Sequence, residues 1–178
     1  PPAAPPPLAQ PIAAPDPAVL VQQGRAWLDA GEIEPVLDLH RHVATSDAAA
    51  PQLLALIARA HANRGDIDLA IVEARRALEL DSLVSDAYHL LGILYLQRGE
   101  VHASIQHLER ARYLEPEMPL ISFHLAEAYR AAVRPSTALR EYRATLHKLA
   151  PLAADTVLDG VAVSWLRATC ERQIIQLT

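Results

Sequence analysis

Eight histidines and a single cysteine are the residues of this 178-residue chain with the widest chemical reach. A histidine pair can hold a transition metal or relay a proton, and a cysteine beside a histidine can act as a nucleophile. The spacing argues against these uses. His40 and His42 are two apart, so on a helix they point to different sides, and His102 and His107, five apart, are also a poor pair for one ion. His89 and His124 approach each other only if successive helical units stack. Cys170 has no placed histidine or metal partner. The chain lacks a P-loop, a nucleophile elbow, a His-Glu-x-x-His motif and a strand followed by a glycine-rich turn. The expectation is therefore no catalytic residue, no cofactor-binding residue and no metal site in this chain.

Composition narrows the remaining classes. Half of the residues are hydrophobic, 21% are charged, and the net charge is −5. These proportions suit a globular domain with a real core. The negative balance argues against a nucleic-acid partner. No apolar run nears the roughly 20 residues of a membrane helix, so no membrane insertion is expected. One cysteine excludes an internal disulfide framework and fits a cytoplasmic location.

The elements that must carry any surface chemistry are visible in the glycines. Gly31, Gly65 and Gly99 are spaced by 34 residues, and Gly24 and Gly92 precede the first and last of them by seven. Ala58 and Ala126 take the earlier position in the other units. Further columns follow the same period: Trp27, His61, Tyr95 and Tyr129; Val36, Ala70, Ser104 and Ala138; Val43, Ala77, Ala111 and Thr145. The small residue lets two helices approach, and the later glycine ends the first helix in a left-handed turn. Leu90, Leu91, Leu94 and Tyr95 form the apolar stripe of one such helix, and Ile105, Leu108, Ala111 and Arg112 carry that of the next. A single long helix through Gly99 would cost roughly 1 kcal/mol with no gain. Units 17–50, 51–84, 85–118 and 119–150 thus resemble tetratricopeptide repeats, each a helix, a tight turn and a helix. The fold expected is all-α, a right-handed superhelix of four repeats.

Both ends depart from the period. Residues 1–16 hold seven of the fourteen prolines and read as an extended linker. Residues 151–178 read as a connector, Pro151–Gly160, and a capping helix in which Ala162, Leu166, Cys170, Ile174 and Leu177 recur at near-helical spacing, with Trp165 as a packing residue. In the fourth repeat Val133 stands at the turn-glycine position. An altered turn is expected there, because Pro135 restricts Arg134.

Tetratricopeptide superhelices bind partners in a concave groove lined by the first helices. The resemblance carries that role here onto Arg25, Gln52, Arg59, Asn63, Asp86, His89, Gln97, Phe123, His124, Glu127 and Arg130. Arg59, His89, Phe123 and Arg130 form a row in which the arginines would meet carboxylates and Phe123 would anchor an apolar group. Ala18, Val21, Ala55 and Leu120 break the pattern by which chaperone-binding repeats hold a C-terminal carboxylate.

A narrower resemblance begins at Asp86. Tyr113-Leu114-Glu115-Pro116, Phe123-His124-Leu125, the close at Leu146–Ala150, and Asp159-Gly160 leading into the helix of Leu166 resemble the C-terminal repeat region of CheR-type chemoreceptor methyltransferases, including those of gliding bacteria. It implies a parent enzyme that methylates receptor glutamates with S-adenosylmethionine in chemotaxis or motility signalling. The catalytic domain would lie upstream of Pro1, and this chain would be a non-catalytic regulatory or targeting module. Its partners would be a chemoreceptor segment or the parent's own methyltransferase domain. The alternative is a stand-alone adaptor in bacterial secretion or pilus assembly.

Overall fold

The computed structural model describes residues 16–43 and 48–178. The proline-rich linker expected at 1–16 lies outside them except for Asp16. That residue caps the first helix, its carboxylate accepting the Ala18 N–H at 2.9 Å. Helices α1 (Pro17–Asp29) and α2 (Ile33–Leu37) form the first pair, α3 (Ala50–Arg64) and α4 (Ile67–Leu80) the second. α5 (Ser85–Gln97) and α6 (Val101–Leu114), then α7 (Pro119–Ala131) and α8 (Pro135–Leu149), complete the array. The first pair is irregular. Pro35 sits inside the five-residue α2, and the chain continues as a tighter 3₁₀ turn over Asp38–His42.

The same hydrogen bonds end the first helix of every pair. The amides of Glu32, Asp66, Glu100 and Arg134 reach back to the carbonyls of Trp27, His61, Tyr95 and Tyr129 at 2.8–2.9 Å. This is the Schellman closure, and it needs a left-handed residue just before the donor. Gly31, Gly65 and Gly99 supply it with φ of +76°, +92° and +77°. Val133 supplies it too, at φ +56°. The altered turn expected at Val133 is therefore corrected. Arg134, before Pro135, is non-helical like Asp66 and Glu100 at the same position, so the proline suits the turn it was expected to disturb.

Within each pair the helices touch through small residues. A Cβ added at Gly92 would lie 2.4 Å from Leu108 Cγ, and the buried Ser104 hydroxyl donates to the Gly92 carbonyl at 2.7 Å. In the preceding repeat the same two places hold Ala58 and Ala74, both fully buried. The methyl group at position 58 is accommodated because the facing leucine is shortened to alanine.

The connector after α8 contains an element outside the helical period. Strands β1 (Val157–Leu158) and β2 (Val161–Ala162) pair antiparallel, Val157 with Ala162 and Leu158 with Val161. Asp159 and Gly160 turn between them with φ of +47° and +79°. That is a two-residue hairpin of the type Asp-Gly favours. Helix α9 (Val163–Leu177) then packs on α8, burying Val163, Leu166 and Cys170 in the core cluster of the last repeats. Burial, with Glu127 and Glu171 nearby, pushes the Cys170 thiol up to about 12, so it stays protonated and inert.

Stability should respond at two of these positions. Val133 is 85% exposed, so Val133→Gly loses no packing and removes left-handed strain. A gain of about 1 kcal/mol, or roughly 2–4 °C in Tm, is expected by calorimetry; a lower Tm would show that the valine stabilises the turn. Gly92→Ala forces Leu108 aside and should cost about 1–3 kcal/mol in urea unfolding.

Candidate protein-binding groove

The first helices line one face of the array, and the groove they form holds about 810 Å³. α1 contributes Arg25, Leu28 and Asp29, and α3 contributes Ala55, Leu56, Arg59 and Asn63. Asp86 enters from α5, and Glu115 and Met118 from the turn after α6. The opposite wall is the hairpin, through Val157, Asp159 and Gly160. Of the expected residues, Arg25, Arg59, Asn63 and Asp86 are brought together here. Gln52, at the start of α3, is half-buried, and Gln97, the last residue of α5, is exposed; neither lines the cavity.

The arginines are not free cations. Arg25 faces Asp86 at 3.7 Å, Arg59 donates to Asp159 at 2.9 Å, and Arg130 to Glu127 at 2.7 Å. Glu127 also accepts the Tyr142 hydroxyl, so it braces α7 against α8. Burial holds the Glu115 carboxyl above its usual range, with Asp86 adding like-charge repulsion. The groove thus presents both signs of charge.

Phe123 is not the open anchor that the row suggested. It is 8% exposed, its ring meeting the Trp165 edge-on at 6.1 Å and Tyr142 at 6.5 Å. The capping helix covers it, because a large ring at the end of the array has no next repeat to pack against. Trp165 itself stays 53% exposed and is only partly a packing residue. Nothing in the periodic pattern marks this cover, which comes from a segment beyond the period.

His89 and His124 do meet. Nε2 of His89 lies 2.8 Å from Nδ1 of His124, so one ring donates and the other accepts; the accepting ring must be neutral, and the pair cannot be doubly charged. Burial lowers His89 well below the usual range, with His124 and Arg59 adding to it. Burial and then Arg59 push His124 down to about 4, against the opposing pull of the Leu120 carbonyl, Asp159 and Glu127. Among the described residues no group of three or more His, Cys, Asp or Glu side chains is placed to hold a metal ion. The strands among the described residues are two residues long.

This architecture defines an all-α tetratricopeptide superhelix closed by a capping helix. Residues 51–82 and 85–118 match the tetratricopeptide repeat family. The chain is 37% identical over 81 residues, 46% of its length, to the Pseudomonas putida protein named "Probable biofilm formation methyltransferase WspC". It is 29% identical over 119 residues, 64% of its length, to mouse superkiller complex protein 3. The chain spans only 19% and 8% of these relatives. A repeat protein of Thermus thermophilus, TTC0263, superposes with a TM-score of 0.70 at 20% identity, over 90% of this chain and 82% of that one. The Yersinia enterocolitica type III secretion chaperone SycD, in complex with a peptide of the translocator YopD, does so at 0.65 and 14% identity, over 74% and 94%. No helix among the described residues is long and apolar enough to cross a membrane.

The histidine pair gives the domain a pH dependence of definite sign. Both folded-state values lie below the unfolded 6.5, so the unfolded chain binds more protons between them. The contribution of the neutral pair is complete above about pH 6.5 and is lost as the pH falls towards about 4. Thermal unfolding across this window should show Tm falling with acid. His124→Gln should flatten that slope; an unchanged slope would assign it to other groups.

Proposed function

We propose that this chain is a protein-binding module that directs a chemoreceptor glutamate methyltransferase. The observation that carries this reading is the 37% identity over 81 residues to the methyltransferase WspC, within a fold whose first helices supply a groove. The catalytic domain and its S-adenosylmethionine would belong to another part of a longer polypeptide. The groove would take a helical or extended segment, from the receptor or from that catalytic domain, whose carboxylates replace Asp86 and Asp159 on Arg25 and Arg59. Methylation would then be regulated through protein contact in the bacterial cytoplasm, in chemotaxis or motility signalling.

The shape also suits a stand-alone adaptor, since the secretion chaperone SycD shares the fold. Calorimetry against the receptor's methylated helices and against the methyltransferase domain separates the two readings. Arg25→Glu with Arg59→Glu should weaken binding at least about tenfold and alter the rate or the site choice of methylation in the full-length enzyme. Absence of binding to either partner by the folded wild-type chain overturns the methyltransferase reading and leaves the adaptor.

A further inference from the structure

We infer that the hairpin at 157–162 is a built-in occupant of the groove, which an incoming carboxylate-bearing segment displaces from Arg59. The inference rests on the groove being the binding surface proposed above. Three observations carry it.

The first is where the hairpin lies. It belongs to the segment that follows the last repeat, yet its tip reaches the second repeat, where Asp159 Oδ2 accepts from Arg59 Nη1 at 2.9 Å across 100 residues of sequence. It forms one wall of the cavity whose other walls are α1, α3 and α5. A segment running the full length of the first helices must meet it.

The second is how lightly it is held. A two-stranded hairpin is marginal in water by itself. This one has two residues per strand. Val157 is exposed, while Leu158 and Val161 lie against the core cluster of the last repeats. At the hairpin's base the Val163 amide bonds to the Thr156 carbonyl at 2.9 Å. The outer end depends on the ion pair, whose carboxylate is about half exposed. Pairs of this kind are worth at most about 1 kcal/mol, or about fivefold in an equilibrium.

The third is what the contact says about the ligand. Arg25 pairs with Asp86 on the first helix of the third repeat, and Arg130 with Glu127 on its own helix. Arg59 alone among these three takes its carboxylate from a segment outside the repeats. The chemistry it accepts is a carboxylate presented on a tight turn or extended chain. A partner offering the same group competes directly with Asp159. The effective affinity is reduced by the fraction of molecules in which the hairpin is closed.

The test uses the whole chain and an acetylated, amidated decapeptide of alternating Ala and Glu as probe, by fluorescence anisotropy at low ionic strength. Asp159→Asn keeps the shape and removes the charge, so it should bind the probe about three- to fivefold more tightly than wild type. Arg59→Gln added to Asp159→Asn should abolish that gain. Addition of the probe to wild type should speed hydrogen exchange at the Val163 amide. Equal binding by wild type and Asp159→Asn, both with wild-type circular dichroism, overturns the displacement and leaves the groove reading intact. Retention of the gain without Arg59 overturns Arg59 as the contested site. No binding by wild type or variant overturns both readings.

Discussion

Everything in this fold rests on how closely the two helices of a repeat can approach. Gly92 lies against Leu108 with no room for a methyl group, and the Ser104 hydroxyl bonds the carbonyl that glycine leaves accessible. With the axes this near, the Schellman closure at Gly99 is short enough to return the chain directly into α6. The first helices are then left side by side on one face, and that face is the groove. A bulkier residue at position 92 would spread the pair and so shift the helix that brings Asp86 to the groove wall.

The groove itself is more self-satisfied than a roll of its residues suggests. Arg25 and Arg59 are each matched to an acid, and elsewhere along the first helices Arg130 is matched to Glu127, His89 to His124, and Phe123 to a tryptophan from the cap. Such a surface is not sticky. Binding there exchanges internal partners for external ones, which favours discrimination over raw affinity.

The repeats are legible in the sequence because their cause is local and periodic. A left-handed turn residue, a small residue seven before it and an apolar stripe recur at one spacing, and the helices follow. Val133 marks where that reasoning stops. The register requires a left-handed residue there, yet the residue type argues for a different turn; the closure that Tyr129 and Arg134 make outweighs it, and Pro135 is compatible with that closure. The hairpin has a local signal as well, Asp159-Gly160 flanked by apolar residues, which is a strong mark of a two-residue turn. The destination of its tip is not legible, because the Arg59 contact joins residues that no periodicity relates. The cover of Phe123 by Trp165 is hidden for the same reason.

Stacked helical pairs behave mechanically as a curved spring, since each pair contacts only its neighbours and small rotations accumulate along the stack. The Arg59–Asp159 contact fastens the far end of that spring back to its second coil. A strap across the inside of a bend resists straightening and leaves tighter bending free. While it is fastened, the curvature of the array is set by the strap as well as by the packing between coils. Unfastening it adds elastic compliance, so the radius of the inner surface becomes adjustable to whatever lies within it.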